Sequence, residues 1–323
     1  MEITNIISEI KEKIDRRGGL KAVYFVGLGG SLAAIYPGKY LLTDEAKNFG
    51  VFSYTSNEFI YSNPKSLDER CICILCSLKG TEETVEAVKH ANKSGAITIS
   101  MTGSDDTEMA KLGQYQVIYS NGDNQIYSKS NQSNSLRLAF EILKQFENYK
   151  YYNEAMDAFT KLDDIFVDAK KKFTEKAIKF ALDYKDEDMF YIMASGPCWG
   201  TGYSMAYCHL MEMQWKNASV IHSGEFFQGP FEITDEKPVM ILIKSIGKTR
   251  YLDERVERFL NKFANKVFIL DAKDTKLDLI DKNVSEYFTS VIMLPIERYT
   301  ISKMANMRNH SMNKRRYMWQ LDY

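Results

Sequence analysis

The chain has 323 residues, 45% hydrophobic and 26% charged, enough for one large or two ordinary globular domains with a sizeable core. Its 42 Lys and Arg balance 43 Asp and Glu, which leaves no electrostatic footprint for nucleic acid or an acidic membrane surface and points to a small-molecule partner. No apolar run approaches membrane-spanning length, and the opening MEITNIISEIKEKID reads as a charged amphipathic helix rather than a signal peptide, so a cytoplasmic protein is expected.

In chain order, a strand AVYFVGL (22–28) leads through a glycine-bearing loop into a helix over 31–48, with a kink expected at Pro37. Strand CICILC (71–76), helix 82–93, strand AITISM (96–101), helix 105–112, a polar irregular stretch 120–135 and helix 134–149 complete the first half. Residues 145–186 are rich in Lys, Glu, Asp and Tyr with almost no Gly or Pro, and read as helices joining two halves. Strands MFYIMA (189–194), VMILIK (239–244) and KVFILD (266–271) then repeat the first three at offsets of about 170 residues. The second half adds helices over 201–216, 250–264 and 296–307 and a short strand at 218–221. Continuous apolar strands alternating with helices indicate α/β architecture: two copies of one domain, 1–160 and 161–323, each a parallel sheet covered on both faces with right-handed crossovers.

The five cysteines, Cys71, Cys73, Cys76, Cys198 and Cys208, are an odd number with no disulfide pattern. Strand geometry sends Cys71 and Cys73 to one face and Cys76 to the other, so small buried hydrophobes are expected rather than a metal site. The loop after the second strand, Ser77-Leu78-Lys79-Gly80-Thr81, opens a helix. Hydroxyls at Ser77, Thr81 and Thr84, close backbone approach at Gly80, the charge of Lys79 and a helix N-terminus suit a phosphate dianion; an ordinary cap by Thr81 is the other reading. Gly27-Leu28-Gly29-Gly30-Ser31 is not a dinucleotide fingerprint, because Leu32 stands where a third glycine is required.

The densest chemistry lies at 209–232, HLMEMQWKNASVIHSGEFFQGPFE. On an α-helix over 202–215, Tyr203, Ala206, Leu210 and Met213 form an apolar stripe, while Met205, His209, Glu212 and Lys216 share another face. On spacing alone a helical Glu such as Glu212 is usually solvated, and catalysis is the other reading. The polar turn beyond the next strand brings Glu225 and Gln228 before a Gly-Pro stop.

The spacing Glu-x15-(His/Gln)-Gly-Pro, together with MEMQW at 211–215, GEFF-x-GPFE at 224–232 and RRYMW at 315–319, resembles the SIS-domain sugar-phosphate isomerases and deglycases, especially the fructosamine 6-phosphate deglycases, over nearly the whole chain. The resemblance implies two tandem SIS domains of flavodoxin-like, three-layer α/β/α build, with no cofactor or metal. It also implies a phosphate loop at Ser77, Lys79, Gly80 and Thr81, although Leu78-Lys79 departs from the family's S-x-S-G-x-T. Gly29, Gly30 and Ser31 are carried over as sugar contacts, and Ser128 and Ser130 as weaker ones.

Glu212 becomes the base that moves a proton between C1 and C2, and Glu225 either positions hydroxyls or the amine or caps the next short helix. The family carries histidine, the acid for ring opening, where this chain has Gln228, which has no titratable proton. His310, His222 and His209 stand as possible replacements beside the plainer reading of surface or core histidines. The basic, aromatic tail is either a solvated end or, as the resemblance implies, folded back over the site, which a second subunit of a homodimer or larger assembly completes. The implied activity is hydrolysis of a fructosamine 6-phosphate to glucose 6-phosphate and a free amine; an aldose-ketose or aminosugar-phosphate isomerase and a non-catalytic sugar-phosphate sensor are the rivals.

Overall fold

Residues 2–121 and 126–322 are described by a computed structural model. They fall into two compact units, 1–163 and 164–323, and the division lies within one long helix.

In the first unit, α1 (Ile3–Asp15) precedes β1 (Ala22–Gly27), α2 (Gly29–Glu45), β2 (Gly50–Thr55), α3 (Ser56–Ser62), β3 (Cys71–Cys76), α4 (Glu82–Lys93), β4 (Ile97–Thr102), α5 (Glu108–Leu112), β5 (Tyr115–Ile118), α6 (Asn131–Glu147) and α7 (Tyr152–Tyr184). The five strands are parallel in the order β2-β1-β3-β4-β5. β1, β3 and β4 are buried from end to end, which explains their unbroken apolar runs. Edge strands β2 and β5 carry exposed residues, and their mixed sequences GVFSYT and YQVI gave no strand signal. Of the polar stretch 120–135, residues 122–125 lie outside the described residues; the helix beyond begins at Asn131, earlier than expected, because the Ser130 hydroxyl accepts the Ser133 N–H and caps it.

Strand order reverses at β1, so the crevice beyond the C-terminal ends of β1 and β3 is where a parallel sheet offers a ligand site. Gly27 and Cys76 pair in register, and the loops after the two strands leave side by side. Cys71 and Cys73 face a cluster with Tyr24, Leu75 and Phe59, whereas the Cys76 thiol turns to the Tyr119 hydroxyl. All five cysteines are free and buried, and burial pushes the Cys76 thiol up to about 12.

The second unit repeats the plan with β6 (Met189–Ala194), α8 (Trp199–Tyr203), β7 (Asn217–His222), β8 (Val239–Lys244), α9 (Arg250–Phe263), β9 (Val267–Asp271) and α10 (Thr289–Met307), in a parallel sheet ordered β7-β6-β8-β9. β6 sits between β7 and β8 as β1 sits between β2 and β3. The loop after β8, Ser245-Ile246-Gly247-Lys248-Thr249, has nearly the composition of Ser77–Thr81, a repeat that strand patterning alone passes over. Its geometry differs: the Glu286 carboxylate accepts the Lys248 N–H at 2.9 Å, and a Cβ on Gly247 would lie 2.0 Å from that same oxygen. α10 starts at Thr289, well before the expected 296, and runs through Pro295.

The α-helix expected over 201–216 is corrected. α8 gives way at Ser204 to a nine-residue π-helix, Ser204–Glu212, whose i→i+5 bonds widen each turn. Within it Met205 and His209 are buried, while Tyr203 and Met213, which flank it, are only half-buried.

Candidate active site

The first unit carries the loop that the sequence offers as a phosphate site. Ser77, buried at the end of β3, accepts the Thr81 N–H on its Oγ at 3.0 Å and so closes the loop around Gly80. Gly80 has φ +68, a left-handed conformation that favours glycine. Thr102 Oγ1 and the Gly103 N–H both donate to the Leu78 carbonyl, at 3.2 and 3.0 Å, and pin the loop to β4. Thr81 occupies the N-cap position of α4 without a side-chain cap bond. Its hydroxyl joins Thr84 at 3.1 Å, and Thr84 joins Ser56 at 3.0 Å. The first turn of α4 is therefore uncapped by the Thr81 side chain, and helix N-termini of this kind suit anions. Lys79 is exposed on the same loop, and Glu82 and Glu83 stand in the first turn of the helix.

Beside this loop, Gly29 has φ +49 and Gly30 is exposed at the start of α2. The Ser31 hydroxyl bonds to Cys76 and Tyr119, which places it against the residue preceding Ser77. The two weaker candidates have other partners. Ser128 donates to Asp163 Oδ2 at 2.6 Å while its N–H reaches Oδ1 at 2.9 Å, and Ser130 is the buried cap of α6.

The second unit carries the proton-transfer candidates. Glu212 ends the π-helix with its side chain 23% exposed, and its Oε1 lies 2.6 Å from Arg315 Nη2. The wide turn aligns Glu212 with Ser204 and Cys208, not with His209: the Cys208 thiol, pushed up to about 12 mainly by burial, feels both the Glu212 and Arg315 charges. His209 points instead at Glu297 of α10, its Nδ1 2.8 and 3.0 Å from the two carboxylate oxygens, with both groups buried. Burial raises the Glu297 carboxyl, and the His209 charge opposes that rise. His209 is thus a core histidine.

The tail folds back onto 213–215. Gln214 Nε2 donates to the His310 carbonyl at 3.0 Å, and Arg308 Nη1 donates to both Gln214 oxygens at 2.9 Å. Trp215 has φ +56, a strained conformation costing about 1–3 kcal/mol for a non-glycine residue. The His310 ring meets it edge-on at 4.5 Å, and the Arg316 guanidinium stands 4.3 Å above the indole. Burial, then the Arg308 and Lys314 charges, lower the His310 imidazole below its ordinary value.

The turn after β7 is held by aromatics. Phe226 is fully buried, and Phe227, Phe231 and Phe259 pack edge to face around it. That anchor leaves Glu225 and Gln228 exposed, joined by the Gln228 N–H to the Glu225 carbonyl at 2.8 Å, with Gly229 at φ +118 beyond. His222 accepts the Gly224 N–H at 3.1 Å and packs on Trp199 at 5.4 Å. Among the described residues no hydrogen bond or ring contact joins Gln228 to His222, His209 or His310.

Sequence reasoning missed two partners: Arg315, visible only as part of the basic RRYMW tail, and Glu297, which an α-helical wheel gives no reason to pair with His209.

The chain is 36% identical over 323 residues to a protein named fructosamine deglycase FrlB from Bacillus subtilis (strain 168), covering 100% of this chain and 97% of that protein. It is 24% identical to a fructoselysine 6-phosphate deglycase from Escherichia coli (strain K12), covering 95% of this chain and 86% of the relative. A solved structure from Salmonella typhimurium LT2, described as a phosphosugar isomerase, superposes with a TM-score of 0.94 at 37% identity and covers 99% and 98% of the two chains. No family model matches.

Proposed function

Since this chain belongs to the SIS-domain family of phosphosugar isomerases and fructosamine deglycases, we propose that it is an enzyme that hydrolyses a fructosamine 6-phosphate, such as fructoselysine 6-phosphate or a fructose–amino acid 6-phosphate, to glucose 6-phosphate and the free amine. In the first unit, Ser77, Lys79, Gly80 and Thr81 take the phosphate, and Gly29, Gly30 and Ser31 take the sugar. In the second, Glu212 removes the C1 proton as a general base while O2 takes up a proton, giving a 1,2-enaminol, and returns the first proton to C2 as the nitrogen loses its own, giving a C1 imine. Water adds to that imine and expels the amine, so one water is consumed per turnover. Glu225 holds the hydroxyls or the amine, and the Gln228 amide orients the ring oxygen without protonating it. The protein acts as a cytoplasmic homodimer or larger homo-oligomer on a small-molecule substrate, without nucleic acid, membrane or cofactor.

The observation that carries this reading is Glu212: a half-buried carboxylate held by a guanidinium at 2.6 Å, within a chain 36% identical from end to end to a fructosamine deglycase. Incubation of the purified protein with fructoselysine 6-phosphate and several fructose–amino acid 6-phosphates tests it, with glucose 6-phosphate and primary amine expected in equal amounts. Glu212→Gln keeps shape but accepts no proton, so turnover falls by about 10² to 10⁴ while sugar-phosphate binding survives. Ketose product without amine release means an isomerase. Because position 228 carries an amide with no proton to give, a sugar-phosphate sensor is the second reading, and binding without turnover of any fructosamine phosphate establishes it.

A further inference from the structure

A carboxylate that carries a proton between neighbouring carbons has to keep one oxygen available and must not rotate. Glu212 is arranged in this way. Its Oε1 is engaged by Arg315 Nη2 at 2.6 Å, and among the described residues no bond holds Oε2. The guanidinium is fixed independently of the carboxylate, since Nη1 donates to the Met312 and Lys314 carbonyls at 2.9 Å each and the side chain is only 7% exposed. Trp319 stands 5.2 Å from it on the same stretch of tail, and Arg315 Nε is buried without a partner. A planar, permanently charged fork held by two backbone carbonyls is a rigid post against which one carboxylate oxygen can be set. Its anchorage to the rest of the unit runs through Gln214, Arg308 and His310, so removing Arg315 leaves the tail attached.

We propose that Arg315 is the positioning residue of the base: it binds one oxygen of Glu212 and thereby presents the other to the C1 and C2 protons. The inference rests on reading Glu212 as the base. It predicts that the tail acts on the proton-transfer step and not on substrate binding.

The test uses full-length Arg315→Ala and Arg315→Lys beside Glu212→Gln, measuring kcat, KM and exchange of the C1 proton with deuterated solvent. Arg315→Ala should lower kcat and the exchange rate together, by about 10- to 100-fold, with KM changed less than about threefold, the pattern of an interaction lost in the transition state. Arg315→Lys keeps the charge but not the fork and should fall between. Millimolar guanidinium should restore part of the Arg315→Ala rate, which a merely structural role would not allow. In the Glu212→Gln background Arg315→Ala should add almost nothing. A raised KM at unchanged kcat, or parent-like kcat and exchange, overturns the proposal. If Glu212→Gln exchanges at the parent rate, the base assignment itself has failed. If the parent turns over no fructosamine phosphate, a double-mutant cycle on urea midpoints still decides the clamp, and absence of coupling between the two positions sinks it.

Discussion

Gln228 stands where the resemblance implies histidine, and its surroundings bear on what an amide does there. It is exposed on a turn that Phe226 fixes in the core, so a side chain there is presented rather than buried. We propose that His310, the candidate replacement for that imidazole, serves poorly as the acid. An acid must be protonated to act, and burial with the Arg308 and Lys314 charges lowers His310 below 6.5, so its protonated fraction is lost on the acid side of that value as pH rises. The parent should therefore show no alkaline limb near pH 6.5 in kcat. Gln228→His puts a titratable imidazole on this exposed turn and should introduce one, raising turnover on its acid side about tenfold or more. A pH–rate profile of both proteins checks this, and a parent limb near 6.5 that vanishes in His310→Ala would return the acid role to His310. Glu212, Glu225 and Gln228 were legible as candidates in sequence, because they lie within one helix–strand–turn unit. Arg315 was not, because it reaches Glu212 only after α10 has run its length and the tail has turned back.

At the scale of elements, the π-helix is the feature that sequence periodicity could not supply. Apolar residues spaced for a 3.6-residue turn fit Ser204–Glu212 well enough to suggest an α-helix, and nothing local announces the wider turn. Its tertiary contacts include the His209–Glu297 pair, which joins the π-helix to α10 out of contact with water. His209→Ala leaves Glu297 buried and uncompensated and should destabilise the protein by about 3–5 kcal/mol. Burial already raises Glu297 above its unfolded value near 4.5, so the native state binds the extra proton and stability falls as pH rises through that window. Without His209 the rise is larger, and the deficit of the variant against the parent should be greater at pH 8 than at pH 5. Urea midpoints at the two pH values measure it; an equal deficit at both would mean that the pair is not ionic. The edge strands tell the same lesson from the other side, for β2 and β5 lack an apolar run because only one or neither of their faces is covered.

At the scale of the whole molecule, two units share one strand order around β1 and β6, and each follows its third strand in that pattern with a loop of Ser, Gly, Lys and Thr. The strand repeat was readable from apolar runs alone, while the repeat of the loops emerged only when both were seen to follow equivalent strands. Their fates diverge. Thr81 at its helix start makes no side-chain cap bond, whereas at Lys248 the Glu286 carboxylate accepts the backbone N–H. The second loop is thus self-ligated, and the duplicated protein should count phosphate once. Calorimetric titration with a sugar phosphate should saturate at one equivalent per chain. Thr81→Ala should weaken that binding by about 1.5–3 kcal/mol, the worth of a charge-assisted hydrogen bond, and Thr249→Ala should leave it unchanged. Two equivalents would mean that Glu286 yields its place to a soluble anion. Two loops of like composition thus stand in unlike settings, one at a helix start without a side-chain cap bond and the other tied by a carboxylate into the framework.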